Sequence, residues 1–104
     1  MQLARNVVDR EPVDPAHRFY VGMRVHLFLE AGNRSDTTQT VDVRWRRRGD
    51  AWTTPPTTLT IPPALRFRTR AKSPTLRRPG GYEAVVTAAN GTELRRIPFE
   101  VSHL

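Results

Sequence analysis

Arginines at alternate positions are the residues of this sequence whose spacing suits a defined chemistry. Arg66, Arg68 and Arg70 alternate with apolar or neutral residues across the segment 65–70. Because a β-strand sends successive side chains to opposite faces, the three guanidinium groups would share one face of a sheet. Guanidinium groups donate paired hydrogen bonds to phosphate and carboxylate oxygens. The segment therefore predicts both a strand and a charged sheet face that suits anions.

A second pair of arginines, Arg44 and Arg46, occupies the same kind of alternating segment over residues 41–46. If both strands belong to one sheet, five guanidinium groups crowd together on its surface. Like charges at close range destabilise such a surface unless anions or carboxylates intervene. The carboxylates that we expect to compensate them are Asp42, Glu83 and Glu100. The alternative is an external phosphate, a sulfate or the acidic surface of a partner.

Trp52 follows the turn at Gly49-Asp50 and is the aromatic residue that we consider for ligand stacking. An indole near a loop tip can stack on a sugar or a base, and burial against the flank of the fold is the equal alternative. Sheet surfaces that bind nucleic acid usually carry aromatic side chains beside the basic ones. Phe67 and Tyr82 are expected to point away from the arginines. This weakens base recognition and leaves phosphate-backbone binding open.

Composition sets limits on the remaining classes of function. The 104 residues carry a net charge of +7 with Lys72 as the single lysine. This charge favours an anionic partner such as nucleic acid or acidic polysaccharide, and a merely solvated basic surface is the alternative. There is no cysteine, and His17, His26 and His103 lie far apart with no neighbouring nucleophile or metal-ligand pattern. We therefore predict no catalytic site, no metal site and no cofactor. In addition, no apolar run approaches the roughly 20 residues that are needed to span a bilayer.

Short alternating segments separated by turn signals indicate an all-β fold. The predicted strands lie at 3–8, 23–30, 41–46, 59–61, 65–70, 82–88 and 94–101. Asn90-Gly91 suits a tight turn between the last two strands, and the flanking prolines make 59–61 an edge strand. We expect a single domain over 1–104, an antiparallel immunoglobulin-like β-sandwich of about seven strands with Trp45 in its core. An open barrel is the alternative.

Several short motifs together resemble a known family. They are Asp9-Arg10-Glu11-Pro12-Val13-Asp14, the strand that carries Trp45, Arg68-Thr69, Gly81-Tyr82-Glu83-Ala84-Val85 and Phe99-Glu100-Val101. In this order they are similar to the bacterial family called Domain of Unknown Function 2914. The resemblance implies a small all-β module that is joined to other segments of bacterial proteins, commonly at the cell envelope, and whose activity is not established.

Two positions depart from the family pattern. Val43 stands where the family has a histidine two positions before Trp45, and Arg70-Ala71 stands where it has an aromatic residue and a serine. The resemblance implies a polar cluster from the positions that do match, namely Arg10, Glu11 and Thr69. The structural alternative is a salt bridge that fixes the first segment to the sheet.

These observations support two main hypotheses of function. The first is a non-catalytic interaction module that binds another protein, or another part of its parent chain, through an exposed sheet face or edge. The second is polyanion binding, with Trp52 as a stacking residue. Its cationic contacts would be Arg44, Arg46, Arg66, Arg68 and Arg70. A hydrolase or metal enzyme is the least favoured class.

Overall fold

The computed structural model describes residues 1–8, 11–15 and 17–103. Within them the chain forms nine β-strands and no helix. The strands are β1 (Gln2–Val8), β2 (Glu11–Pro15), β3 (Arg18–Tyr20), β4 (His26–Asn33), β5 (Gln39–Arg47), β6 (Thr57–Ile61), β7 (Ala64–Lys72), β8 (Gly80–Ala88) and β9 (Glu93–Ser102). The all-β prediction is confirmed. A helix long and apolar enough to cross a membrane is absent from the described part of the chain.

The strands form two sheets. Sheet A has the order β2-β1-β4-β7, with antiparallel neighbours. Sheet B has the order β3-β9-β8-β5-β6, in which β3 runs parallel to β9 and the other neighbours are antiparallel. The predicted edge strand at 59–61 is confirmed, because β6 ends sheet B. The sandwich-like pair of sheets agrees with the prediction, and the immunoglobulin-like strand order stays a prediction.

Two strands of the structure, β2 and β3, are not predicted by the sequence. β3 has only three residues, too few to show an alternating pattern. β2 contains Pro12 and Pro15, which lack the N–H group that a central strand needs. Because β2 lies at the outer end of sheet A, that missing donor is tolerated there.

One hydrophobic core is shared by the two sheets. Trp45 is 1% exposed, which confirms its predicted place in the core. Its indole meets the ring of Phe99 edge to face at 5.9 Å, and Phe99 meets Phe19 in the same way at 5.5 Å. β4 contributes Leu27 and Leu29, both buried, and each such side chain stabilises the fold by about 1.5 to 3 kcal/mol. This burial fixes which side of β4 faces the solvent.

The end of β4 is held against its neighbours by Gly32 and Asn33. The β4–β7 register shifts at Gly32, and a Cβ atom on this glycine would lie 2.9 Å from the carbonyl oxygen of Leu65. The Asn33 side-chain amide donates hydrogen bonds of 2.9 Å to the carbonyl oxygens of Thr37 and Ile61. The bulge and the buried amide together set the start of β7.

The turn between β8 and β9 has the predicted chemistry. Gly91 has a φ of 90°, a conformation that glycine adopts without strain. The Asn90 side-chain oxygen accepts a hydrogen bond of 2.9 Å from the backbone N–H of Thr92. The predicted antiparallel pairing of the two flanking strands is confirmed.

Candidate anion-binding surface

The outward side of sheet A carries a row of cations on β7. β4 turns Leu27 and Leu29 into the core, so its alternate residues face outward. The register sets these outward residues opposite the alternate residues of β7: His26 opposite Lys72, Phe28 opposite Arg70 and Glu30 opposite Arg68. Arg66 continues the row, and its side chain is 67% exposed. We call this surface the basic face and define it by His26, Phe28, Glu30, Arg66, Arg68, Arg70 and Lys72.

The basic face has an excess of positive charge. Its four cations on β7 and the single carboxylate of Glu30 give a net charge of +3 with a neutral His26. The Arg66 guanidinium donates to the Glu30 carboxylate. Both side chains are exposed, so water screens this ion pair and it contributes little stability.

An aromatic ring lies at the centre of the basic face. Phe28 is half-buried, and the guanidinium carbon of Arg68 lies 6.0 Å from the centroid of its ring. A shallow cavity of about 190 Å³ adjoins the ring and is lined by Phe28, Arg68, Thr69 and Arg70. A second cavity of about 310 Å³ is lined by Met1, Gln2, Phe28 and Glu30. Phe28 therefore contributes to two separate depressions in the surface.

Burial and the neighbouring positive charges both affect the imidazole of His26. Burial lowers the pKa of its imidazole below the ordinary value of 6.5, and the charges of Lys72, Arg70 and Arg24 lower this pKa further. The ring is accordingly neutral at neutral pH. Among the described residues, no group of three or more His, Asp or Glu side chains is arranged to hold a metal ion.

Arg44 and Arg46 lie on the other sheet. Both belong to β5 in sheet B, whereas the β7 arginines belong to sheet A. The condition for one crowded surface of five guanidinium groups is therefore not met, and the expectation of a single arginine-rich face with these members is wrong. The physical reason is that alternation assigns a residue to one side of its strand but does not determine which strands become neighbours.

The arginines of sheet B are matched by carboxylates. Glu83 is 6% exposed, and its Oε1 atom lies 2.6 Å from Arg96 Nη1 and 3.7 Å from Arg46 Nη1. Arg48 Nη2 lies 2.5 Å from a carboxylate oxygen of Glu100. Glu83 thus compensates Arg46 as expected, and a buried carboxylate requires such partners. Asp42 instead accepts a hydrogen bond from the Thr58 hydroxyl at 2.7 Å.

Trp52 is packed against the core and is not part of the basic face. It is half-buried, and its indole meets Tyr82 edge to face at 5.6 Å. Of the two alternatives left open for this residue, the structure favours burial against the flank of the fold. Trp52 follows β5 of sheet B, so it is not brought together with the β7 arginines.

Two members of the polar cluster implied by the family resemblance, Glu11 and Thr69, lie on strands that are not neighbours. Thr69 lies on β7 opposite the buried Leu29, and the backbone of Glu11 lies on β2, at the other outer end of sheet A. The strands β1 and β4 separate them, so the two backbones are about 14 Å apart or more. Arg10 lies outside the described residues.

The sequence analysis missed Phe28, His26 and Lys72 as members of this surface. Phe28 and His26 alternate with core leucines, so their outward direction is visible in the sequence. The missing information was the pairing of β4 with β7, which joins segments about 40 positions apart. Without that pairing, the arginine row has no aromatic neighbour.

Comparisons with known proteins give a likeness to a solved structure at the level of the fold. No family model and no curated protein sequence matches the chain. The fold is similar to part of the Pseudomonas fluorescens alkylpurine DNA glycosylase AlkC, bound to DNA containing an abasic site analog, with a TM-score of 0.57 and 16% identity. The match covers 82% of this chain and 27% of that chain. At this identity the likeness concerns the fold alone, and the family resemblance from the sequence stays a prediction.

Proposed function

We propose that this chain is a non-catalytic binding module whose basic face holds the phosphate backbone of a nucleic acid. The observation that carries the proposal is the net charge of +3 on one sheet face, with four cations at alternate positions of a single strand. Phosphate contacts from Arg and Lys supply most of the sequence-independent affinity for nucleic acids. The cations of β7 are the contacts that we assign to this role.

The spacing of the cations suits a linear polyanion. Alternate residues of a strand repeat at about 6.7 Å, so the four side chains of β7 extend along about 20 Å. Within the described residues, β7 has a strand neighbour only on its β4 side. A ligand strand can therefore approach the row from above the sheet and from its edge.

The contrast between the two sheets supports the same assignment. Arg46 and Arg96 share the carboxylate of Glu83, and Arg48 is paired with Glu100. These carboxylates balance much of the arginine charge on sheet B. The seven residues that define the basic face carry four cations and one carboxylate, so their charges do not balance among themselves.

An acidic protein is the competing partner, because it would meet the same charges. Protein interfaces usually have an apolar core inside a polar rim, and Phe28 is the single aromatic residue of the basic face. The charge excess is therefore better explained by phosphate binding. Binding to an acidic protein in place of nucleic acid is an outcome of the test below.

The structural relative is described as bound to DNA, which agrees with the proposal but is a statement about that glycosylase. This chain spans 27% of the glycosylase chain. We propose no glycosylase activity here.

The test is a salt titration of nucleic-acid binding with two matched triple variants. Fluorescence anisotropy measures the affinity of a labelled single-stranded oligonucleotide between about 50 and 200 mM salt. The first variant replaces Arg66, Arg68 and Arg70 with Gln. If all three neutralise phosphates, the slope of log K against log salt becomes shallower by about 2.

The control variant replaces Arg44, Arg77 and Arg95 with Gln, which removes the same charge from outside the basic face. We expect the control to keep a slope close to that of the unmodified protein. Equal losses in both variants would show that net charge alone drives binding and would overturn the proposal. Absence of binding to any nucleic acid at low salt, with retention of an acidic protein by the same face, would also overturn it.

A further inference from the structure

We infer that the ligand of the basic face is single-stranded and that one of its unpaired bases stacks on Phe28. This inference rests on the proposed function and specifies its substrate class. Its starting point is a residue that phosphate binding leaves unexplained. A backbone-binding surface needs cations, but it does not need an aromatic ring at its centre.

The position of Phe28 separates it from the core aromatics. Its strand neighbours Leu27 and Leu29 are buried at 0% and 2% exposure, whereas Phe28 lies on the opposite side and is half-buried. In the register it is flanked by Gln2 of β1 on one side and by Arg70 of β7 on the other. The ring therefore lies between two strands at the level of the cation row, where a bound backbone would pass.

The surroundings of the ring provide space and charge for a base with its phosphate. The cavity of about 190 Å³ is bounded by Phe28 together with Arg68, Thr69 and Arg70. Arg68 contacts the ring with its guanidinium at 6.0 Å and has an exposed side chain. A flat cation over an aromatic ring occupies a position that suits another flat π system. A base that takes this position moves the Arg68 guanidinium aside, where Arg68 and Arg70 can both reach the phosphates of the same nucleotide.

Duplex nucleic acid does not supply such a base. In a duplex the π faces of the bases are covered by their neighbours. An aromatic residue on a sheet reaches them only if the bases are first unstacked, which costs free energy. An unpaired strand exposes these faces, and stacking on protein aromatics is a recurring feature of single-strand binding on β surfaces. The length of the row, about 20 Å, corresponds to a short site of about four nucleotides, which is within the range for one small β domain.

The experiment separates stacking from phosphate binding by changing the ligand and the ring independently. The probes are a labelled oligothymidylate, a backbone of the same length and charge without bases, and a duplex of mixed sequence. The variants are Phe28→Leu, which keeps an apolar side chain, and Phe28→Tyr, which keeps an aromatic ring. Circular dichroism and thermal unfolding of each variant verify that it is folded.

We expect the unmodified protein to bind the oligothymidylate more tightly than the backbone without bases, by about fivefold or more, which is the low end of one stacked base. Phe28→Leu should remove this preference and leave affinity for the backbone without bases unchanged. Phe28→Tyr should keep the preference. The duplex should bind no better than the backbone without bases at equal charge.

Equal affinity of the unmodified protein for the two single strands would overturn the stacking inference and leave phosphate binding standing. A preference that survives in Phe28→Leu would also overturn it, because the stacking residue would then lie elsewhere. No binding of any of the three probes would instead overturn the proposed function itself.

Discussion

Replacing Glu30 with Gln tests the basic face most directly, because we expect this substitution to increase the affinity for nucleic acid. Glu30 is the one carboxylate among the residues that define this face, and it accepts a hydrogen bond from Nε of Arg66. The substitution keeps the shape of the side chain and removes its charge. The net charge of the face rises from +3 to +4, so the face can neutralise one further phosphate.

The size of the gain follows from counterion release. One additional phosphate contact on a single strand makes the slope of log K against log salt steeper by about 0.7. Between 50 and 200 mM salt, the affinity ratio of variant to unmodified protein should therefore change by about 2.6-fold, with the larger advantage at low salt. The cost to folding is small, since exposed ion pairs of this kind contribute roughly 0.2 to 1 kcal/mol.

The assay is the same anisotropy titration, carried out in parallel on Asp42→Asn. Asp42 lies on β5 of sheet B and accepts a hydrogen bond from Thr58, so this control adds the same charge to the other layer of the molecule. We expect the slope of the Asp42→Asn variant to stay near that of the unmodified protein. Equal slopes for Glu30→Gln and Asp42→Asn would refute the assignment of phosphate contacts to the basic face.

Two further predictions concern stability. Gly32→Ala should lower the free energy of unfolding by about 1 to 2 kcal/mol, because overpacking against the Leu65 carbonyl oxygen outweighs the entropy gained by removing a glycine; an unchanged urea midpoint would contradict this close approach. His26→Gln should flatten the acid limb of the stability profile. The folded-state pKa of His26 lies below 6.5, so the unfolded chain takes up the proton first and stability falls as the pH drops from about 6.5 through the folded-state value. Parallel stability curves of variant and unmodified protein between about pH 7 and 5 would contradict this titration.

The layered fold follows closely from local sequence patterns. The alternation of Leu27 and Leu29 with His26, Phe28 and Glu30 assigns one side of β4 to the core, and Asn90-Gly91 fixes the β8–β9 hairpin. These features depend only on residues that are close together in the sequence. β3 has no comparable signal, since three residues are held in place by pairing with β9, a strand at the far end of the chain.

Only part of the candidate site could be predicted, because spacing within a strand is visible in the sequence and the pairing of distant strands is not. The β7 arginines share one face as their spacing requires, but Arg44 and Arg46 belong to the other sheet. Phe28 joins the arginines only through the register of β4 with β7. Strand order depends on the free energy of the whole core, which no short segment contains.

The arginines of β7 also affect how copies of this protein behave toward one another. A strand at the end of a sheet offers unpaired backbone groups to any other extended chain. Two copies that joined through β7 would bring one guanidinium row beside another, and directly opposed like charges destabilise such a pairing. The same side chains that attract a polyanion thus oppose edge-to-edge self-association of the free protein, and this protection weakens as rising salt screens their charge.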